Sequence, residues 1–228
     1  NEEHSINVAN LASLFASKFG FTEWGRVLGL LHDKGKEQKS FQQYIQQVSG
    51  YKPSAVNPTQ SPHAYIGALI AKEKYLIYPI LSHPIIGHHR GLYDYGDYEE
   101  RMNSLIPDEI KVEDMDINLS VPPSCSMQKE DLHHLVRMLF SCLVDADRID
   151  TEAFMNEMNS RVRKNKATLE QLLPKLEAFL KTIATNAEAT PINKIRSEIQ
   201  AECLKASSKQ PGFYSLTVPT GGGKTLSS

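Results

Sequence analysis

An apolar helical pattern runs into a charged turn at Leu28-Gly29-Leu30-Leu31-His32-Asp33-Lys34-Gly35-Lys36. Trp24 and Val27 extend the apolar spacing of this stretch towards the N-terminus, which predicts a helix over 23–34. Gly35 is the predicted terminator of that helix. A histidine and an aspartate at the end of an apolar helix need partners if they are to be buried, because unpaired buried polar groups cost free energy. The pair is therefore the first candidate functional site.

The same kind of spacing recurs along most of the chain and predicts an all-α fold. Helical patterns cover 5–19, 37–48, 63–75, 79–89, 129–150, 166–187 and 191–207. We expect the helix over 79–89 to bend at Pro84. Proline, glycine and polar residues predict loops over 49–62, 90–98 and 113–128. Residues 213–218 alone predict a strand, directly before a glycine-rich loop.

The composition is that of a globular protein. The chain has 228 residues, of which 40% are apolar and 23% charged, and its length corresponds to about 1.5 average domains. These values exclude a disordered or collagen-like chain. No apolar run approaches the roughly 18 residues of a membrane span, and no apolar signal segment opens the chain. We therefore expect no membrane partner.

Charge and cysteine content further limit the possible partners and metal sites. The formal net charge is −2, so a nucleic-acid partner would need a local basic patch or a metal centre. The three cysteines are widely spaced and form no CxxC pair, which predicts neither a disulfide framework nor a cysteine-bound zinc. We expect a reducing, cytoplasmic location.

Histidines and aspartates in suitable contexts suggest a metal site. Imidazole and carboxylate groups suit divalent transition metals, and a carboxylate can bridge two ions. Adjacent helical residues point about 100° apart, so a His-Asp pair can place one ligand on each side of a metal pair. The candidate ligands are His4, His32, Asp33, His63, His88, His89 and one aspartate near the end of the long helix. The other histidines, His83, His133 and His134, are interpreted as solvated or hydrogen-bonded side chains.

The identity of that last aspartate is open on spacing alone. Asp145 and Asp147 lie at opposite edges of the apolar stripe of the helix over 129–150, and Asp150 lies near its centre. Helical periodicity does not choose among the three.

The order of these motifs resembles the HD superfamily of metal-dependent phosphohydrolases. It resembles more closely the HD nuclease domain of type I CRISPR-associated helicase–nucleases. The matching segments are His4-Ser5, His32-Asp33-Lys34-Gly35-Lys36, Phe41-Gln42, Pro62-His63-Ala64, Gly87-His88-His89-Arg90-Gly91-Leu92 and Asp145-Ala146-Asp147-Arg148-Ile149-Asp150-Thr151. The tail is similar to the linker and motif I of a superfamily 2 helicase, on Asn193-Lys194-Ile195-Arg196 and Pro219-Thr220-Gly221-Gly222-Gly223-Lys224-Thr225.

The resemblance implies a helical HD bundle followed by a short strand and loop fragment of a helicase domain. The implied domains are a nuclease over 1–187, a linker helix over 188–212 and a truncated helicase start over 213–228. Because the sequence lacks an initial Met and stops just after the motif I loop, we expect it to be a piece of a longer protein.

The resemblance also implies roles for single residues. His4, His32, Asp33 and Asp147 correspond to the ligands of one metal, and Asp147 is preferred over Asp145 because the family residue follows an alanine. The implied ligands of a second metal are His63, His88 and His89. Asp33 is implied to be catalytic, and Lys36 is implied to contact the scissile phosphate. One or two divalent ions are expected: Mn, Ni, Co, Fe or Mg.

The implied function is metal-dependent hydrolysis of DNA, mainly single-stranded, by endo- or exonuclease action in antiviral defence. The implied partners are a helicase domain of the same polypeptide and an RNA-guided CRISPR surveillance complex. Tyr93, Tyr95 and Tyr98 are interpreted either as base-stacking residues or as locally packed ones. An alternative function is hydrolysis of small nucleotides. A third, a non-catalytic regulatory HD domain, is disfavoured by the complete set of candidate ligands.

The glycine-rich loop suggests a nucleotide site that is incomplete in this chain. Backbone N–H groups of Gly221, Gly222 and Gly223 can cradle phosphates, with Lys224 reaching them and Thr225 on Mg²⁺. A phosphate loop also needs the helix after it and an acidic strand. We therefore expect ATP and its Mg²⁺ to bind only in the full-length helicase, and the tail of this chain to be frayed.

Overall fold

The computed structural model describes residues 2–49, 63–108, 110, 117–123, 128–156, 158 and 167–227. Within these residues all regular secondary structure is helical, which confirms the predicted all-α class. The chain divides into two compact units, Asn1–Lys164 and Asn165–Ser228. The predicted loop over 49–62 lies almost wholly outside the described residues. Of the predicted loop over 113–128, the described residues 117–123 and 128 have no regular secondary structure.

The first unit contains seven α-helices in its described part. They are α1 (Glu2–Ala16), α2 (Thr22–Leu31), α3 (Lys39–Val48), α4 (Ala64–Lys74), α5 (Tyr78–Gly87), α6 (Tyr95–Met102) and α7 (Lys129–Met155). Short 3-10 turns, Ser17–Phe19 and Lys34–Glu37, follow α1 and α2. Pro84 lies inside α5, and the bend expected there stays a prediction.

The core forms where α1, α2, α4, α5 and α7 pack together. Trp24, Leu28 and Leu31 of α2 are buried there, and the Trp24 Nε1 group donates a hydrogen bond to the Ser120 carbonyl oxygen at 2.9 Å. Burying apolar side chains of this size contributes about 1.5–3 kcal/mol each. The packing fixes the C-terminal end of α2, where His32 and Asp33 follow.

Two helix crossings are close enough to require glycine. A Cβ atom at Gly29 of α2 would lie 2.3 Å from the Cα atom of Ala9 on α1. A Cβ atom at Gly67 of α4 would lie 1.9 Å from the carbonyl oxygen of Leu31. Backbone therefore rests directly on backbone at both crossings, which brings the N-termini of α1 and α4 to the end of α2.

The structure corrects one predicted loop. Residues 90–98 were expected to be irregular, but α6 begins at Tyr95. Asp94 caps this helix, because its carboxylate accepts a hydrogen bond from the Asp97 N–H group at 3.1 Å. Apolar spacing does not predict α6, because the helix contains Gly96, is largely polar and buries only Tyr98 and Met102.

The second unit contains the helices α8 (Leu169–Asn186), α9 (Pro191–Ser207) and α10 (Lys224–Ser227) in its described residues. Thr168 and Gln171 form a capping box at the start of α8. The Arg196 guanidinium donates to the Gly221 carbonyl oxygen from Nε at 2.9 Å and from Nη2 at 2.7 Å. The predicted first domain extended to residue 187, whereas 165–187 belong to this unit.

The predicted strand over 213–218 is wrong for the described chain. These residues have no regular secondary structure, and Phe213 is fully exposed. A single extended segment has no neighbour to satisfy its backbone donors and acceptors, so it forms no ladder on its own. In the part of the chain that the structure describes, no helix is both long and apolar enough to cross a membrane.

Candidate metal centre

The seven side chains predicted from the sequence meet at one place in the first unit. His4 comes from α1, His32 and Asp33 follow α2, and Asp147 comes from α7. His63 precedes α4 at its N-cap position, and the doublet His88-His89 follows α5. Their ligand atoms form three overlapping groups, each within 4.8 Å: Asp33 with His63, His88 and His89; His4 with His32 and Asp33; His32 with His88 and Asp147.

Asp33 lies at the centre of this cluster, and its two carboxylate oxygens face different histidines. Its Oδ2 atom faces the Nε2 atoms of His32 at 3.4 Å and His4 at 3.7 Å. Its Oδ1 atom faces the Nε2 atoms of His63 at 3.5 Å and His88 at 3.6 Å. Each carboxylate oxygen therefore has its own pair of imidazole nitrogens.

These separations fit atoms that share an ion. Two ligand atoms that bind one ion at about 2.1 Å lie about 3.0–3.4 Å apart in octahedral or tetrahedral geometry. The distances around Asp33, and the 3.3 Å between His4 Nε2 and Asp147 Oδ1, are close to that range. Direct hydrogen bonds between the same groups would be shorter, at about 2.7–2.9 Å.

The buried histidines are oriented by backbone carbonyls. The Nδ1–H group of His32 donates to the Gly29 carbonyl oxygen at 2.8 Å, and that of His88 donates to the Ile85 carbonyl oxygen at 2.6 Å. Both Nε2 atoms then point into the cluster with their lone pairs free. These two atoms and Asp33 Oδ1 are fully buried and make no hydrogen bond. Buried polar atoms rarely stay unsatisfied in proteins, so these three atoms fit a bound cation.

The protonation states suit metal ligation. Burial lowers the pKa of His32 to about 4, against the opposing charge of Asp33. Burial and the neighbouring His88 and His63 lower the pKa of His89, also to about 4. For Asp33, burial raises the pKa, but contacts with His63 and His88 outweigh it and hold the pKa below the usual range. At neutral pH His32 and His89 are therefore neutral imidazoles and Asp33 is an ionised carboxylate, the forms that bind metals. The hydrogen bond with Asp147 instead raises the pKa of His4.

Lys36 and His89 mark the open side of the cluster. The Lys36 Nζ atom contacts Asp33 Oδ2 at 2.5 Å, one 3-10 turn along the chain. His63 Nε2 and His89 Nε2 lie 2.9 Å apart, and His89 is exposed. His32, Asp33 and His88 are buried beneath them. The site thus has a buried floor and an accessible rim.

The structure separates the three aspartates that helical spacing left open. Asp147 faces the cluster, with Oδ1 at 3.3 Å from His4 Nε2. Asp150 contacts the other ring nitrogen, with Oδ2 at 2.7 Å from His4 Nδ1. Asp145 is exposed. Sequence reasoning treated Asp150 only as an alternative ligand and missed its contact with His4, although its i,i+3 spacing from Asp147 places both on one face.

The remaining histidines and tyrosines lie elsewhere. His83 stacks on Tyr98 at 3.8 Å between ring centroids, and His133 and His134 pack against each other in exposed positions. Tyr98 is buried and its hydroxyl lies 2.7 Å from Ser82 Oγ. Tyr93 packs under the guanidinium of Arg101. Tyr98 and Tyr93 are therefore packing residues, and of the three tyrosines only Tyr95 is exposed.

A protein-family model described as the HD domain matches residues 1–119, which is about half of the chain. The chain belongs to the HD domain family. HD domains are metal-dependent hydrolases that bind divalent metals, and the family indicates phosphohydrolase chemistry. The matched range contains six of the seven clustered residues, and the seventh, Asp147, is joined to them by geometry. No curated protein sequence shows a significant match.

Divalent metal is expected to stabilise the HD domain against heat. An ion that binds only the folded state at a concentration 100-fold above its Kd adds about 2.7 kcal/mol to the free energy of unfolding. Melting of the chelator-treated protein, followed by circular dichroism with and without Mn²⁺ or Co²⁺, measures the effect. The double variant His133→Ala/His134→Ala should keep the full shift, whereas His88→Ala should keep only part of it. Equal melting temperatures with and without metal would contradict the site.

Proposed function

We propose that this HD domain is a metal-dependent nuclease that hydrolyses phosphodiester bonds in single-stranded DNA. The observation that carries the proposal is the position of Asp33, whose two oxygens each face a separate pair of histidine nitrogens. This is the arrangement expected of a carboxylate shared by two ions. Paired ions are typical of enzymes that cleave phosphate esters.

Bound divalent ions supply Lewis acidity at the phosphate and lower the pKa of water near them. Asp33, His32 and His88 form the buried floor that holds this charge in place. Lys36 lies at the rim beside Asp33, where its ammonium group can contact a phosphate oxygen. No side-chain nucleophile is needed. Recognition through the phosphate backbone predicts low base specificity.

The polymer substrate is supported by two features. His89 is exposed at the rim of the cluster, and Tyr95, which follows the His88-His89 doublet in the sequence, is exposed as well. Polar and aromatic side chains are therefore accessible to a single strand in this part of the chain. The second feature is the resemblance of the tail to the start of a superfamily 2 helicase, since a motor delivers a polymer rather than a small molecule. By the same resemblance, we propose recruitment by an RNA-guided CRISPR surveillance complex in antiviral defence.

One assay separates this proposal from hydrolysis of small nucleotides. The chelator-treated chain is loaded in turn with Mn²⁺, Co²⁺, Ni²⁺, Fe²⁺ and Mg²⁺ and incubated with circular single-stranded DNA or with a panel of nucleotides. Cleavage of the closed circle is expected and would demonstrate endonuclease action. Hydrolysis of nucleotides without cleavage of DNA would instead favour the alternative. The exposed-site variant His134→Ala is the matched control for ligand variants.

The glycine-rich loop is expected to contribute no ATP binding to this chain. Among the described residues one helical turn, Lys224–Ser227, follows it, and Lys224 Nζ donates to the Val218 carbonyl oxygen at 2.8 Å. A working phosphate loop presents backbone N–H groups at the start of a longer helix. Isothermal titration with MgATP should show no heat of binding. Measurable affinity or ATP turnover by this chain would contradict the prediction.

A further inference from the structure

His4, His32 and His88 differ in the group that contacts Nδ1, the ring nitrogen that points away from the cluster. His32 and His88 donate from Nδ1 to backbone carbonyls within their own helical turns. His4 instead has its Nδ1 atom 2.7 Å from a side chain, the Asp150 carboxylate of α7. The residues in contact are 146 positions apart in sequence. The orientation of His4 therefore depends on a contact between two helices.

The two ring nitrogens of His4 contact different groups. Nε2 faces Asp147 Oδ1 at 3.3 Å and Asp33 Oδ2 at 3.7 Å, and so points into the cluster. Nδ1 faces only Asp150 among the described residues, at hydrogen-bonding distance. A histidine that donates from Nδ1 keeps the lone pair on Nε2 when it is neutral. Asp150 thereby selects the ring form that can bind metal through Nε2.

We propose that Asp150 is a positioning residue that fixes the ring orientation and tautomer of His4 for metal binding. The inference rests on the metal site of the proposed function. A metal-bound histidine that donates its other N–H to a carboxylate is a recurring arrangement, and such partners also raise the basicity of the ligand. His4 lies in the first turn of α1, and its Nδ1 atom faces this carboxylate.

The position of Asp150 argues against direct ligation. Asp150 lies about one helical turn after Asp147 on the same face of α7. Both carboxylates therefore contact His4 of α1, each at a different ring nitrogen. Asp147 belongs to a ligand group with His32 and His88, whereas Asp150 belongs to no such group among the described residues. Its contact is on the far side of the His4 ring from Asp33. The carboxylate thus supports a ligand and does not replace one.

Co²⁺ titration of the chelator-treated full chain tests the role. Visible absorption reports the ligand geometry, and competition with a chelator gives the affinity. Asp150→Ala removes both the acceptor and the charge and should weaken Co²⁺ binding by about 10–100-fold. Asp150→Asn keeps an acceptor oxygen and should lose only about fivefold, because a hydrogen bond to a charged group is worth about 1 kcal/mol more than a neutral one. Asp145→Asn, on the exposed face of the same helix, should bind like the parent chain.

The graded order, with Asp strongest and Ala weakest, supports a positioning role. Asp150→Ala with unchanged affinity, and with the helical signal of the parent chain, would overturn it. So would an Asp150→Asn variant as defective as Asp147→Asn, with an altered Co²⁺ spectrum, because that pattern indicates a direct ligand. If Asp150→Ala does not fold, the isosteric Asn variant alone still separates these results. A parent chain that binds no metal would remove the proposed function itself, which is a distinct result.

Discussion

Asp33→Ala is expected to abolish phosphodiester hydrolysis and to weaken metal binding by more than about 100-fold, beyond the loss typical of outer-sphere partners. The reason is the shared position of this carboxylate. Oδ2 faces His4 and His32, while Oδ1 faces His63 and His88. A single substitution therefore removes a ligand from both halves of the cluster, whereas loss of any one histidine leaves the other half intact.

The substitution also changes the charge in the buried floor of the site. Burial raises the pKa of Asp33, but contacts with His63 and His88 and the charge of Lys36 outweigh that effect and keep the carboxylate ionised. Without Asp33, the positive charge of Lys36 loses its carboxylate partner, and the cluster loses one negative charge. An incoming cation would meet less negative charge, which lowers affinity for any divalent ion irrespective of its preferred geometry.

The measurement pairs cleavage of circular single-stranded DNA with thermal melting. Asp33→Asn is the isosteric companion, because it keeps the shape of the side chain and removes its charge. Both variants should lose cleavage and the metal-dependent rise in melting temperature while keeping the helical circular dichroism signal. Asp145→Ala should behave like the parent chain. Cleavage that persists in Asp33→Ala at the parental rate would show that the catalytic site lies elsewhere.

The helical class and the clustering histidines and Asp33 could be predicted because both depend on local sequence. Apolar spacing defines most of the helices, and a His-Asp pair at the end of an apolar helix is unusual without a partner. Helical spacing alone could not choose among Asp145, Asp147 and Asp150, because the choice depends on the rotation of α7 against α1. The preference for Asp147 came from the family resemblance. Spacing within one helix shows which residues share a face, but it does not show which neighbouring helix that face contacts.

The failures of prediction have different physical causes. Residues 213–218 have the apolar composition of a strand, but β-structure requires a neighbouring strand that local sequence does not supply. The helix α6 was missed because its stability comes from the Asp94 cap and two buried residues rather than from a repeated apolar stripe. The orientation of His4 by Asp150 joins residues from the two ends of the first unit, and no local pattern reveals such a contact.

Gly67→Ala is expected to lower the free energy of unfolding by about 2–3 kcal/mol, at the upper end of the cost of inserting a methyl group into a packed interior. The added Cβ atom would lie 1.9 Å from the carbonyl oxygen of Leu31 and 2.7 Å from its carbonyl carbon. A backbone oxygen cannot rotate away as a side chain can. The helix α4 must therefore move off the end of α2.

The same movement should disturb the metal site. His63 lies at the N-terminus of α4, and His32 and Asp33 follow Leu31 directly. A second close approach supports this coupling, because a Cβ atom at Gly35 would lie 2.1 Å from the His63 carbonyl oxygen. Separation of α4 from α2 would lengthen the 3.5 Å distance between His63 Nε2 and Asp33 Oδ1. We therefore expect Gly67→Ala to weaken metal binding as well as folding.

Gly96→Ala is the matched control for this prediction. Gly96 lies within α6, and a Cβ atom there would meet only Asp94 Oδ1, at 3.9 Å. Alanine is favoured over glycine inside a helix by about 0.5–1 kcal/mol, so this variant should be more stable than the parent chain. Urea unfolding of the chelator-treated proteins compares the two changes, which are chemically identical and are expected to have opposite signs. A Gly67→Ala variant as stable as the parent would show that α4 does not rest on the end of α2, and the geometry that joins His63 to Asp33 would fail with it.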